Sequence, residues 1–267
     1  MAKQKLVMIG NGMAGLRTIE EILERSQSQF DITIIGKEPY PNYNRIMLSN
    51  ILQKIMTVED TIMNPYDWYQ ENNIELINND PVEKVDKENK IVTTSKGIEV
   101  EYDICIFATG SKAFVLPIPG SNLPSVIGWR TIDDTNKMIE IAQTKKRAVV
   151  IGGGLLGLEC ARGLLDQGME VTVLHLADWL MEMQLDRKAG EMLKADLEKQ
   201  GMKIELQANS KEIIGDKDVE AIKLADGRVI ETDLVVMAVG IRPYTEVAKD
   251  SGSVSYTHLR AHETRHD

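Results

Sequence analysis

Two glycine-patterned stretches carry the clearest chemistry in this chain. They are Gly10-Asn11-Gly12-Met13-Ala14-Gly15 and Gly152-Gly153-Gly154-Leu155-Leu156-Gly157. Each follows an apolar run, Leu6-Val7-Met8-Ile9 or Ala148-Val149-Val150-Ile151, and each opens a segment of helical periodicity. In a strand–GxGxxG–helix unit the first glycine makes the tight turn. The second admits a pyrophosphate against the backbone, and the third lets the helix pack close to the strand. The helix start, here Met13-Ala14 and Leu155-Leu156, then offers unpaired N–H groups and a partial positive charge to the phosphates. One such turn is a weak signal, since glycine turns are common in α/β proteins. Two of them, each with a strand before, a helix after and a second strand at the right distance, predict two dinucleotide sites.

A carboxylate at the end of the second strand would grip the ribose hydroxyls. Behind the first turn the candidate is Glu38, 23 residues past Gly15, against the plainer reading of a solvated turn residue. Behind the second turn the strand-end residue is His175. A histidine there pairs with a ribose hydroxyl, or with a 2′-phosphate when protonated, or simply ends the strand. The choice between NADH and NADPH therefore stays open. Glu159, two residues past Gly157, reads from its position alone as a first-turn carboxylate favoured by the helix dipole.

The elements that must position these residues repeat in order. In the first copy a helix runs from the turn to about Arg25, with Leu16, Ile19 and Leu23 on one face. A strand follows at 30–35, a polar–apolar meander at about 82–102, and a closing apolar strand that ends Ala108-Thr109-Gly110. In the second copy the helix runs to about Gln167, with Gly168 as its C′ residue. A strand at 170–175, a helix at about 185–200 and a meander at about 210–232 come next, and the copy closes on Ala238-Val239-Gly240. From first to closing glycine the copies span 100 and 88 residues, positions 10 to 110 and 152 to 240. Pro117, Pro119 and Pro124 mark 115–124 as a linker. The expected fold is α/β, with two nested Rossmann-like dinucleotide-binding domains of the three-layer ββα type. The first domain occupies 1–114 and the second 115–240, and 241–253 starts a return to the first.

Composition narrows the function. The chain has 267 residues and a net charge of −10, which argues against a general attraction to nucleic acid or to an anionic membrane. No apolar run is long enough to span a bilayer. A short polar start leads straight into the first strand without a signal-peptide pattern, so the expected compartment is the cytoplasm. The two cysteines, Cys105 and Cys160, lie in separate apolar segments, which excludes a CxxC redox pair and a cysteine metal cluster within this chain. No metal site is expected.

The last stretch does not fit this scheme. Three of the four histidines (His258, His262, His266) fall in the last ten residues, where a metal site would be the tempting reading. Residues 254–264 instead match the in-frame translation of a transposon-end sequencing adapter. We therefore expect 254–267 to be an artefactual, disordered tail. We also expect the natural protein to continue past residue 253.

Two nested dinucleotide folds closing on A-T-G and A-V-G resemble the FAD- and NAD(P)-dependent two-dinucleotide reductases. The resemblance implies FAD on the first turn and NAD(P)H on the second. Glu38-Pro39-Tyr40-Pro41-Asn42-Tyr43-Asn44-Arg45-Ile46-Met47-Leu48-Ser49 looks like the family's P-Y-x-R-x-x-L-S segment, which implies that Arg45 and Ser49 lie along FAD. Thr131-Ile132-Asp133-Asp134, preceded by Arg130, resembles an R-T-x-x-D segment whose arginine approaches the flavin. Gly240-Ile241-Arg242-Pro243 matches the G-x-R-P after the NAD domain. By the same resemblance FAD would be lined by Gly10, Gly12, Met13, Ala14, Gly15, Glu38, Val82, Ala108, Thr109 and Gly110. The nicotinamide nucleotide would be lined by Gly152, Gly154, Leu155, Leu156, Gly157, Glu159, His175, Val239 and Gly240. The Cys-x4-Cys of the disulfide reductases is missing, which excludes a dithiol relay.

The N-Y-N-R block and the run Leu180-Met181-Glu182-Met183-Gln184-Leu185-Asp186 are more specific. Together with the glycine turns they resemble, over 3–253, the N-terminal part of the large subunits of the assimilatory NAD(P)H nitrite reductases. That resemblance implies a module passing electrons from NAD(P)H through FAD to downstream redox domains, where iron–sulfur centres and siroheme reduce nitrite to ammonium. Glu159 would stand at the nicotinamide–flavin contact. The family's FAD domain also takes a later strand and a G-D pair that do not follow Gly240 here, so its FAD domain is expected to be incomplete and to hold FAD poorly. Two alternatives share most of these motifs: a standalone NAD(P)H reductase of a rubredoxin- or ferredoxin-like carrier, and a nucleotide-sensing module without turnover.

Overall fold

The computed structural model describes residues 2–26 and 28–253; the expected tail at 254–267 lies outside the described residues. The chain forms two compact units. One comprises residues 2–44, 62–111 and 243–253, the other 45–61 and 112–242.

In the first unit four parallel strands lie in the order Ile74–Ile77, Phe30–Ile35, Gln4–Ile9, Ile104–Phe107. The central strand pairs Ile9 with Ile35 on one side and with Phe107 on the other. Successive side chains of a strand point to opposite faces, and this strand is apolar on both. Leu6 and Met8 pack with Leu16 and Ile19 of the helix Met13–Ser26. Val7 and Ile9 pack with Val85 and Val92 of the antiparallel meander Val82–Asp86, Ile91–Thr94, Glu99–Glu101. Helix, parallel sheet and meander make the three layers.

The second unit repeats the plan with five parallel strands in the order Val126–Gly128, Leu234–Met237, Arg147–Ile151, Glu170–Leu174, Lys203–Glu205. Val149, Ile151 and Leu174 face the meander Ser210–Ile214, Ala221–Leu224, Val229–Glu231. The helix Leu155–Asp166 is packed on the other face through Cys160, Ala161 and Leu164. Gly168 takes φ +91° just past its end, as a C′ glycine does. Among the described residues no helix is long and apolar enough to cross a membrane.

Three features depart from the sequence reading. The outer strands Ile74–Ile77, Lys203–Glu205 and Val126–Gly128 were not expected, nor was the helix Ile132–Thr144. That helix starts from a complete capping box: the Thr131 hydroxyl accepts from the Asp134 amide, and the Asp134 carboxylate accepts from the Thr131 amide. Third, residues 45–61 belong to the second unit and not to a first domain running to 114. The reason is local packing. A Cβ on Gly163 would sit 2.6 Å from the Leu52 side chain, so the glycine leaves a notch in the helix that Leu52 fills. Gln167 Nε2 donates to the Leu52 carbonyl at 2.7 Å beside it.

Candidate functional site

Both glycine turns leave the carboxyl end of a central strand, the end where ligands bind in open α/β sheets. They are built alike. Gly10 has φ +117° and Gly152 φ +119°, where a side chain is strained, and a Cβ would lie 2.1 Å from the Ala108 carbonyl oxygen or 2.4 Å from that of Ala238. A Cβ on Gly15 would meet the Gly10 oxygen at 2.7 Å, and one on Gly157 the Gly152 oxygen at 1.9 Å. By contrast, a Cβ on Gly12 or Gly154 would meet nothing within 4 Å. The outer two glycines of each turn are thus required by the protein's own packing, and the middle one is not. It leaves bare backbone facing open space, which fits the close approach of a pyrophosphate. Neither following helix has an acidic residue in its first turn, so its unpaired amides meet no competing carboxylate there. The residues present fit a dinucleotide at each turn.

Around the first turn, Ala108 lies under Gly15 and Gly10, and Gly110 has φ +66°. The Thr109 hydroxyl donates to the Tyr244 carbonyl at 2.6 Å, and the Tyr244 amide donates to the Gly110 carbonyl at 2.9 Å. The return segment after Pro243 therefore docks on the closing Ala-Thr-Gly. Glu38 is half-buried and accepts from the Tyr43 hydroxyl at 2.7 Å. Val82 heads the first meander strand and packs against the core of Val7, Ile9, Ile35, Val85 and Val92.

A polar network behind this turn had no clear sequence signal. The Tyr69 hydroxyl donates to Asn11 Oδ1 at 2.8 Å and accepts from the Asn42 amide at 3.1 Å, while Asn42 Nδ2 donates to the Asn11 carbonyl at 3.1 Å. It fastens the Pro-Asn-Tyr-Asn segment to the glycine turn. Burial pushes the Tyr69 phenol up, so the hydroxyl stays a donor. The asparagine between the first two glycines was the one available clue.

The second unit gathers Arg45, Ser49, Arg130 and Glu159. The Arg45 guanidinium donates to the Arg130 carbonyl at 2.6 Å, and the Arg130 amide donates to Asp134 at 2.8 Å. Ser49 sits buried on the short helix Leu48–Leu52, where its hydroxyl donates to the Ile46 carbonyl at 3.4 Å. Burial raises the Glu159 carboxyl above its ordinary range, and the neighbouring Ser49 hydroxyl offsets this only in part. The first-turn alternative for Glu159 does not hold, because the helix begins at Leu155 and its first turn carries no acid. Leu155 and Leu156 are exposed at the helix start. Val239 packs on the meander core, and Gly240, at φ +108°, accepts from the Phe114 amide at 2.9 Å.

His175 is buried at 6% exposure, and both ring nitrogens are engaged. Gly153 N–H donates to Nδ1 at 3.1 Å, and Nε2 lies 2.9 Å from Glu182 Oε2. A backbone amide only donates, so Nδ1 carries no proton and Nε2 donates to the carboxylate. The ring thus has no free nitrogen for a ribose or a 2′-phosphate, which corrects the expectation that His175 touches the nucleotide. The Cys105 thiol is pushed up to about 12 by burial, and the buried Cys160 thiol is also raised; the two lie in different units.

Two three-layer α/β units, each with an open glycine turn at the sheet's carboxyl end, define a two-dinucleotide oxidoreductase. The chain belongs to the pyridine nucleotide-disulphide oxidoreductase family, whose model matches residues 4–264 and whose members bind FAD and NAD(P)H. It is 54% identical over 252 residues to a nitrite reductase [NAD(P)H] of Bacillus subtilis, covering 94% of this chain and 31% of that protein, and is a homologue of its N-terminal part. It is 42% identical over 252 residues to the assimilatory nitrate reductase electron transfer subunit of the same organism, covering 94% of this chain and 33% of that one. Among solved structures, a ferredoxin reductase for the CYP199A2 system of Rhodopseudomonas palustris superposes with a TM-score of 0.87 at 28% identity, over 95% of this chain and 63% of that chain. The chain spans about a third of the length of these two curated relatives.

Proposed function

We propose that this chain is the electron-entry module of a nitrite-reducing enzyme of nitrate assimilation, taking electrons from NAD(P)H and passing them through FAD to redox domains carried elsewhere in the parent protein. The observation that carries the reading is the pair of turns with open middle glycines, Gly12 and Gly154. The nitrite assignment rests on the 54% identity across both of them. In this reading the turn amides at Gly12, Met13, Ala14 and Gly15 hold the FAD pyrophosphate, and Glu38 takes its ribose. The closing residues Ala108, Thr109 and Gly110 line the flavin nucleotide, with Val82 beneath. Arg45 and Arg130 bring positive charge to the flavin side. The second turn, Gly152, Gly154, Leu155, Leu156 and Gly157, holds NAD(P)H against Val239 and Gly240.

Bound flavin supplies the exchange between a two-electron donor and one-electron acceptors. The chain's own residues supply position. Glu159, with its carboxyl raised by burial, orients the nicotinamide and keeps water from it, and Ser49 lines the flavin. Siroheme and iron–sulfur ligation belong to other parts of the parent protein, since those centres need clustered cysteine thiolates. The setting is cytoplasmic, without nucleic acid or membrane partners.

The test is anaerobic addition of NADH to the flavin-loaded parent protein, followed by nitrite. Bleaching of the flavin absorbance and its recovery on nitrite support the reading. No bleaching overturns the electron-entry role, and bleaching without nitrite-driven recovery overturns the nitrite assignment. One specific observation favours a second reading, reduction of a small iron–sulfur carrier: the superposition on a ferredoxin reductase at a TM-score of 0.87. Recovery of absorbance on ferredoxin or rubredoxin, and not on nitrite, would select it.

A further inference from the structure

We propose that Glu182, held in place by His175, grips the adenosine ribose diol of NADH and rejects the 2′-phosphate of NADPH. This rests on the second glycine turn being the pyridine-nucleotide site. The group that reads the ribose in such a fold stands at the end of the second strand, beside the turn. Here that place belongs to His175, whose ring is closed to ligands. It accepts from Gly153 N–H through Nδ1 and faces Glu182 Oε2 through Nε2 at 2.9 Å. The ring is also wedged. A Cβ on Gly153 would lie 2.7 Å from the imidazole and 2.6 Å from Leu180, so turn and ring are in direct contact. His175 is therefore a positioning residue, and the acceptor it positions is Glu182.

Glu182 suits the role. Its side chain is 36% exposed while His175's is 8% exposed, so the carboxylate stands at the surface with one oxygen anchored from inside. The anchored oxygen accepts one hydrogen bond from His175 Nε2–H, and the other oxygen remains an acceptor. A carboxylate with two oxygens matches the two hydroxyls of a ribose diol. Leu176, 68% exposed directly after His175, offers an apolar surface to an adenine.

The same stretch has nothing for a 2′-phosphate. Between 176 and 186 there is no Lys or Arg. Asp178 accepts from Arg187 at 2.9 Å and from Gln207 at 2.7 Å, and Asp186 caps the next helix through the Ala189 amide at 2.8 Å. The first cation, Arg187, is held by Asp178 and lies 4.7 Å from the centre of the Trp179 ring. A 2′-phosphate brought to Glu182 would meet like charge, and residues 176–186 offer no cation to compensate it.

The test uses the purified protein and equilibrium titration with ADP-ribose and 2′-phospho-ADP-ribose, read by calorimetry. The wild type should prefer ADP-ribose by about 100-fold, and Glu182→Gln should cut that preference about tenfold by removing one charge facing the phosphate. His175→Leu should weaken ADP-ribose binding, and adding it to Glu182→Gln should weaken binding little further, because the two act as one unit. Equal binding of both probes by the wild type overturns the proposal while leaving the site in place. So does an unchanged preference in Glu182→Gln. Failure of the wild type to bind either probe overturns the underlying site and the proposal together.

Discussion

The contrast between middle and outer glycines gives a prediction that separates folding from binding. In Gly154→Ala the new methyl enters open space, on an extended backbone (φ −84°, ψ −179°) that any residue adopts. Alanine is a poorer N-cap than glycine, by under about 1 kcal/mol. Reduced freedom of the unfolded chain returns about 0.4–1 kcal/mol. The net change in stability should be within about 0.5 kcal/mol of zero, from these two opposed terms. In Gly157→Ala the methyl would lie 1.9 Å from the Gly152 carbonyl oxygen, so the helix must move roughly 1.5 Å from the strand to reach ordinary contact. Overpacking of this kind costs about 1–3 kcal/mol, or roughly 3–10 °C in Tm for a chain of this size. Thermal unfolding followed by circular dichroism reads the first quantity and NADH titration the second. Gly154→Ala should keep its Tm and lose NADH affinity at least about tenfold, since the methyl fills the space the pyrophosphate would occupy. Undiminished NADH affinity in Gly154→Ala would refute the claim that phosphates approach this backbone. An unchanged Tm in Gly157→Ala would refute the packing argument.

Three other perturbations follow from particular environments. Burial raises the Glu159 carboxyl in the fold, so the folded state disfavours its charge, and stability falls as pH rises through the unfolded and then the folded pKa. Glu159→Gln should therefore raise Tm relative to wild type near neutral pH, with the gain vanishing at low pH where both states are protonated; Tm against pH for the two proteins checks this. Trp129 is fully buried and its Nε1 donates to the Thr135 hydroxyl at 2.8 Å, so Trp129→Phe should cost about 1–3 kcal/mol in urea unfolding. Cys160 is buried and the Cys105 thiol is pushed up to about 12, so both should react with a disulfide reagent at pH 8 only after unfolding.

Most of the scaffold was legible in the sequence because its central strands are apolar on both faces and end at glycines with positive φ. Gln4–Ile9 and Arg147–Ile151, which run into Gly10 and Gly152, announce themselves in this way. The edge strands do not. Ile74–Ile77 and Lys203–Glu205 pair on one side only and carry Glu75, Lys203 and Glu205, so their composition reads as loop. Val126–Gly128 hides behind the prolines that precede it. The helix from Ile132 shows only its start signal, Thr131-x-x-Asp134, because its body alternates polar and apolar residues without a strong stripe.

Tertiary partners were the harder loss. Nothing local says that residues 45–61 join the second unit, although Gly163, a glycine in mid-helix, marked a place where another chain segment comes close. That placement puts Ser49 in the same unit as Glu159, which its position in the chain does not announce. The same limit applies at His175. Its type and position were plain, and both suggested contact with the nucleotide. What decides its role is a pair of bonds, one to a backbone amide 22 residues earlier and one to a carboxylate seven residues later. A histidine in contact with ligand can exchange partners as the nucleotide changes. A histidine locked between Gly153 and Glu182 cannot, and it passes the rigidity of the glycine turn to the carboxylate. Selectivity should therefore fall when either link of the relay Gly153–His175–Glu182 is cut, even though only Glu182 meets the ligand.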